Sequence, residues 1–183
     1  MHIENAAIPA VKIVIAKKHG DARGFFSETY NKAAFEAAGV NLVFVQDNHS
    51  LSAAVGTLRG LHFQTPPHAQ DKLIRVTRGR IFDVAVDIRR ASPTFGGHVA
   101  TELSAENWRQ LLIPVGFAHG FVTLEPDTEV LYKTTSFYAP SHDAGVAWDD
   151  PEIGIDWPLP PGGPVLSEKD RRLPRLREAP ELF

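Results

Sequence analysis

An all-β sandwich or barrel is the fold this sequence predicts, and two observations predict it. Apolar residues recur at every second position through the middle of the chain, and turn residues interrupt that rhythm at short intervals. The clearest strand is IFDVAVDI, in which Phe82, Val84, Val86 and Ile88 share one face and Asp83 and Asp87 the other. LIRVTRG before it, and HVATEL, RQLLIP, GFVTL and TEVLYKTT after it, alternate in the same way. Turns are supplied by Arg78-Gly79, Ser92-Pro93, Gly96-Gly97, Pro114 to Gly116 and Pro126-Asp127, all residue types that bend or stop a strand.

Helical patterning is sparse. In NKAAFEAAG, Asn31 can cap a short helix and Gly39 can end it. A second helix can start at Ser167, with Asp170 placed as in a capping box. Between Asp149 and Pro164 proline and glycine are dense, which predicts an irregular wrap over the barrel. The expected organisation is one domain over 1–183. N-terminal strands and a short helix occupy 1–50, the barrel core 51–140, and a C-terminal wrap with a short helix 141–183.

A chain of 183 residues with 43% apolar and 22% charged residues can bury one full core. A net charge of −3 argues against a nucleic-acid partner, which selects a basic face. The absence of cysteine excludes disulfides, thiolate chemistry, zinc ribbons and iron–sulfur clusters. MHIENAAIPA has no basic segment followed by an apolar one, and no apolar run approaches the roughly 18 residues of a membrane span. A cytoplasmic setting with no membrane partner is therefore expected. Neither G-x-G-x-x-G, nor a Walker A loop, nor G-x-S-x-G occurs; a nicotinamide dehydrogenase, a kinase and an α/β-hydrolase are set aside.

The chemistry concentrates in RGLHFQTPPHAQDKLIRV, which brings Arg59, His62 and Lys72 close together, and continues with His119 in IPVGFAHGF and Tyr132 in LYKTT. An imidazole, an ammonium, a guanidinium and a phenol on alternating strands suit proton transfer on an anionic substrate. Metal-binding barrels of the cupin type offer His-x-His and then Pro-x-Gly-x-x-His. Here Pro114 to His119 keeps the second motif, but Gln64 stands where the first has its second histidine. An amide is a poor transition-metal ligand, so no metal is expected; His62, His68 and His119 stay open as an alternative three-histidine set. Plainer readings stand beside each residue. Lys72 could be a solvated strand-end charge and Tyr132 simple core packing. Asp170 reads locally as a helix-cap residue and Arg23 as a turn residue, or with Arg59 as a grip on a diphosphate. Phe25, Phe26 and Tyr138 could be core or could stack on a nucleobase.

Taken together, the motifs resemble the dTDP-4-dehydrorhamnose 3,5-epimerase family. The likeness is carried by RGFFSETY at 23–30, QDNHS at 46–50, LRGLHFQ at 58–64, and DKLIRVTRGRIFDVAVDIRRASPTFG at 71–96. It continues through ELSAENWRQLLIPVGFAHGF at 102–121, LYKTTSFYAP at 131–140 and LSEKD at 166–170. The resemblance implies a cupin-like jelly roll with a few short peripheral helices, without metal or other cofactor, working as a homodimer on a dTDP-sugar. It implies inversion at C3 and C5 of dTDP-4-dehydro-6-deoxy-D-glucose. By position, His62 matches the general base, Asp170 its orienting carboxylate, Lys72 the oxyanion stabiliser and Tyr132 the acid for C5. Arg23, Phe26, Glu28, Gln46, Asp47, Asn48, Arg59, His119, Tyr138, Asp143 and Lys169 match substrate-binding positions. Asp143 stands where many members have glutamate, and Phe137 where tyrosine is frequent. An epimerase acting at C3 or C5 alone, a ketoisomerase and a non-enzymatic sugar-binding barrel are the alternatives.

Overall fold

The computed structural model describes residues 1–179 and 183. Residues 180–182, within the C-terminal wrap expected over 141–183, lie outside the described residues. In chain order the strands are β1 (His2–Asn5), β2 (Lys12–Ile15), β3 (Lys18–Asp21), β4 (Gly24–Ser27), β5 (Gln46–Ser52), β6 (Leu58–Gln64) and β7 (Lys72–Arg78). They continue with β8 (Arg80–Asp87), β9 (His98–Ser104), β10 (Arg109–Ile113), β11 (Phe117–Thr123), β12 (Thr128–Thr134) and β13 (Asp143–Gly145). One α-helix, α1 (Lys32–Ala37), and short 3₁₀ turns at Pro140–His142 and Asp170–Arg172 complete the described elements. No helix among the described residues is long and apolar enough to cross a membrane.

The strands form a six-stranded sheet in the order β1-β2-β10-β7-β12-β5, a five-stranded sheet β13-β6-β11-β8-β9, and a separate hairpin of β3 and β4. Every ladder between these strands is antiparallel. The two large sheets pack face to face as a jelly roll, through Ile74, Val76, Leu111 and Val130 from one and Ile81, Ala85, Leu103 and Phe121 from the other. Two further apolar layers cover the outer faces. Phe35 and Val40 of the α1 region lie on Val14, Leu73 and Leu112, while Ile153, Trp157 and Leu176 of the C-terminal segment lie on Val84, Val86 and Ile88.

That third layer reverses the simplest reading of IFDVAVDI. Phe82, Val84 and Val86 do share a face, but it is the outer one beneath the wrap, where Phe82 meets the edge of the Trp157 ring. The aspartate face is the interior: Asp83 and Asp87 are fully buried. A sheet covered on both sides hides its polar positions along with its apolar ones, and each large apolar side chain that the wrap removes from water contributes about 1.5–3 kcal/mol. Asp87 accepts from Arg89 Nη2, Ser92 Oγ and Thr94 Oγ1, each at 2.6 Å, and so builds the turn around Ser92 and Pro93. Burial alone would raise its pKa, but those hydrogen bonds outweigh it and hold the carboxyl at about 2. Its stabilisation is present above the usual carboxylate range and is lost as pH falls through that value.

The Asn31 side chain accepts from the Ala34 N–H at 3.1 Å, as a capping residue should, and Gly39 takes φ +79° just beyond the helix end. The second expected helix is only a 3₁₀ turn. Pro174 forces Leu173 into an extended conformation (φ −64°, ψ 139°) before a second turn can form. Ser167 still meets Asp170: the Asp170 N–H donates to Ser167 Oγ at 3.1 Å, and that hydroxyl donates to Asp170 Oδ2 at 2.8 Å.

One close backbone approach fixes the neighbourhood of the site. A Cβ on Gly60 would lie 2.6 Å from Gly120 Cα and 2.7 Å from the His119 carbonyl oxygen, at a φ of +122°. Only glycine fits. The resulting contact of β6 with β11 sets His62 directly opposite His119.

Candidate active site

A cavity of about 440 Å³ opens between the two sheets. His62 and Arg59 reach it from β6, His119 and Phe121 from β11, Lys72 from β7, Tyr132 from β12 and Ser50 from β5. The C-terminal segment closes one side with Val165, Leu166, Ser167, Lys169 and Asp170. That segment is tied down by the Leu58 N–H to Val165 carbonyl hydrogen bond at 3.0 Å and a parallel bridge between Thr57 and Val165.

His62 Nε2 lies 2.6 Å from Asp170 Oδ1. Burial would raise the Asp170 pKa, but the hydrogen bond and charge of His62, the Ser167 hydroxyl and Lys169 together hold it below the usual carboxylate value. A carboxylate only accepts, so Nε2 carries the proton and Nδ1 keeps its lone pair. The cap reading of Asp170 accounts for one of its oxygens; the other orients the imidazole.

Lys72 is not the solvated strand-end charge of its plainer reading. It is 9% exposed and its Nζ donates to the His62 carbonyl at 3.3 Å. Burial lowers its pKa to about 8, with Asp143 and Asp83 pulling it upward and Lys169 pushing it further down. Tyr132 satisfies both of its readings, packing against the inter-sheet core while lining the cavity. Burial raises its pKa, opposed by Arg59 and reinforced by Asp143 and Tyr138, so the phenol keeps its proton and can donate it.

His119 is buried, and its Nε2 lies 2.6 Å from Asp83 Oδ1. The cavity therefore holds two histidine–carboxylate pairs side by side. Nothing in the sequence had singled out Asp83 beyond its place in an alternating strand.

At the mouth, Arg59 Nε donates to Ser52 Oγ at 3.2 Å. The Tyr138 hydroxyl donates to Asp143 Oδ2 at 3.0 Å, and Lys169 Nζ donates to the same oxygen. The Tyr138 N–H donates to Gln46 Oε1 at 3.0 Å, and Gln46 Nε2 to Asn48 Oδ1 at 2.9 Å. These three residues line an adjoining cavity of about 290 Å³ that shares Tyr132 with the first. Four of the residues matched to substrate binding lie elsewhere. Asp47 points to the outer face of β5, as alternation with Gln46 and Asn48 requires, and binds Lys133 Nζ at 2.9 Å. Arg23 pairs with Asp21 at the tip of the β3–β4 hairpin, Phe26 is 72% exposed on β4, and Glu28 follows it. None of these lines the cavity of its own chain.

Gln64 has a different occupation from metal binding. Its Oε1 accepts from the Ala139 N–H at 2.8 Å, while Nε2 donates to the carbonyls of His68 at 2.6 Å and Phe137 at 3.2 Å. The amide staples the loop after β6 to the loop after β12. His68 packs against His142 with ring centroids 4.6 Å apart and planes tilted by 53°, and the three-histidine set does not form. Among the described residues no three His, Asp or Glu side chains are grouped to hold a metal ion.

A base, an ammonium beside it and a phenol on the opposing sheet can remove a proton from carbon, hold the resulting oxyanion and return a proton from the other side. Comparison with known proteins points the same way. The family model for dTDP-4-dehydrorhamnose 3,5-epimerase matches residues 5–178. A dTDP-4-dehydrorhamnose 3,5-epimerase of Pseudomonas aeruginosa is 57% identical over 94% of each chain. The structure of dTDP-6-deoxy-D-glucose-3,5-epimerase from Legionella pneumophila, in complex with dTDP-4-keto-L-rhamnose, superposes with a TM-score of 0.94 at 43% identity, covering 100% of this chain and 98% of that one. A 3'-monoepimerase from Streptomyces bikiniensis, in complex with dTDP-quinovose, gives 0.88 at 32% identity over 95% and 87%.

Proposed function

The chain belongs to the dTDP-4-dehydrorhamnose 3,5-epimerase family, and from that premise we propose that it inverts C3 and C5 of dTDP-4-dehydro-6-deoxy-D-glucose. The product is dTDP-4-dehydro-β-L-rhamnose, on the route to dTDP-L-rhamnose. The 4-keto group acidifies the hydrogens on both adjacent carbons, and loss of either proton gives an enolate with its charge on O4. One cavity can therefore serve both centres without a redox step.

His62, oriented by Asp170, takes the proton on Nδ1 while the C–H electron pair moves into the enolate. General-base help of this kind is typically worth about 10²–10⁴-fold in rate. Lys72 stabilises O4, a contribution of about 10²–10³-fold for a well-placed donor. Tyr132 delivers a proton to C5 from the opposite side. The observation that carries the reading is this opposition: His62 stands on the five-stranded sheet and Tyr132 on the six-stranded one, with a shared cavity between them. Inversion needs that arrangement; return of a proton to its original face does not.

Incubation with the ketosugar in D₂O tests the reading, with NMR recording which carbons acquire deuterium. Incorporation at C3 and C5 with formation of the L-sugar is expected. Incorporation at C3 alone, with no L-sugar, would favour the second reading, a C3 monoepimerase, which the likeness to the Streptomyces enzyme keeps in view. No exchange at all, with retained dTDP binding, would leave a sugar-binding barrel.

We further propose that the working unit is a homodimer. Phe25 and Phe26 are 56% and 72% exposed on one hairpin, and Arg23 and Phe26 lie on it outside their own cavity, with Glu28 just beyond. A second copy would bring these residues to a nucleotide. Light scattering should give about twice the 20.1 kDa chain mass, and Phe26→Asp should yield monomer and a raised KM. A monomeric wild type would overturn the proposal.

A further inference from the structure

We infer that Asp83 is a positioning residue of this site: its buried carboxylate orients the His119 ring and serves as a buried counter-charge to Lys72. The inference deepens the epimerase reading and rests on it. Asp83 comes from the inward face of β8 and is fully buried. Its Oδ1 is taken by His119 Nε2, while Oδ2 is buried and has no hydrogen-bond partner among the described residues. A buried carboxylate held this way is costly unless a cation shares its space.

Lys72 is that cation. It projects from β7, on the opposite sheet, into the cavity that His119 lines. The groups around it are His62 on β6, His119 on β11, Tyr132 on β12, Asp143 on β13, and Lys169 and Asp170 in the C-terminal segment, with Asp83 on β8. The other carboxylates serve several partners, and Asp143 attracts Lys72 more strongly than Asp83 does. Asp143 receives Tyr138 and Lys169 on one oxygen, and Asp170 receives His62 and Ser167. Asp83 is the one of the three that is fully buried, and its Oδ2 has no hydrogen-bond partner among the described residues. The charge of Asp83 raises the Lys72 pKa against the burial that lowers it. Without that charge, Lys72 would lose its proton at a lower pH, and the O4 enolate would lose its counterion there. The same carboxylate makes His119 Nε2 the donor and so leaves Nδ1 with a lone pair for the substrate.

The test measures kcat/KM for deuterium exchange from about pH 6 to pH 9, a range centred on perturbed-lysine titration, in wild type and Asp83→Asn. Asparagine keeps the shape of the side chain and removes its charge. Wild type should lose activity through an alkaline limb near pH 8, where Lys72 titrates. In Asp83→Asn that limb should move down by about one unit, which makes the loss roughly tenfold at high pH and under about threefold at low pH. A limb that stays in place, or an equal loss at every pH, overturns the inference; the second is what a merely structural residue would give.

A stability cycle decides the matter without turnover. Lys72→Met strands the Asp83 carboxylate, so Tm should fall by about 4 °C or more, and adding Asp83→Asn should recover at least about half of that loss. Additive losses would overturn the inference. A wild type without exchange would refute the epimerase reading instead, and the cycle would still decide for or against the Asp83–Lys72 pairing.

Discussion

His62→Ala is expected to lower deuterium exchange at both C3 and C5 by about 10²–10⁴-fold while dTDP affinity stays within a few fold. The separation follows from position. His62 is half-buried in the cavity between the sheets, whereas Arg59 is exposed and Gln46, Asn48 and Tyr138 line the adjoining space, where a nucleotide would be held. Asp170→Asn should fall by a comparable factor through the imidazole. An amide can present its NH₂ to Nε2, which moves the ring proton to Nδ1 and removes the lone pair that serves as base. Exchange kinetics and isothermal titration with dTDP check both variants. Near-normal exchange in His62→Ala would return that residue to a structural role, and an active Asp170→Asn would reduce its carboxylate to a partner of Ser167.

Tyr132→Phe should divide the reaction in two. The ring packs on the inter-sheet core, so phenylalanine keeps the packing and removes only the hydroxyl. Exchange should persist, because His62 can return a proton to the face from which it came. Formation of the L-sugar should fall further than exchange does, by about 10²-fold or more, the usual scale for loss of a positioned acid. Time-resolved NMR in D₂O reads both quantities in one sample. Equal losses would place the phenol before the enolate; an unchanged yield of L-sugar would make it packing alone.

Much of the fold was legible because β-sequence writes its period directly. Strands β7 to β12 fall where alternation and turn residues put them, and Asn31 and Gly39 bound α1. What alternation cannot say is which face is inside. IFDVAVDI names its two faces, but only a C-terminal segment packed on Val84 and Val86 decides that both are buried. The site divides in the same way. Arg59, His62 and Lys72 are near in sequence and meet in the cavity. Asp170 lies 108 residues from His62, and its local sequence describes only its contact with Ser167. Lys72 looked like a strand-end charge because its burial comes from the opposite sheet and from the C-terminal segment, neither visible from LIRV. Asp83 gave no signal, since an aspartate alternating with valines is the ordinary mark of a solvated strand face.

The staple made by Gln64 constrains what else could stand at its position. A single change to histidine would restore the missing ligand type, yet it would also strip the Ala139 N–H and the carbonyls of His68 and Phe137 of their partner. An imidazole has two ring nitrogens and cannot replace one acceptor oxygen and a two-hydrogen donor at once. Tyr138 sits between Phe137 and Ala139, so two of those three bonds flank it. A histidine at this position would therefore leave two loops unheld beside the cavity, so the amide serves as a structural tie whose loss would be felt well beyond its own side chain.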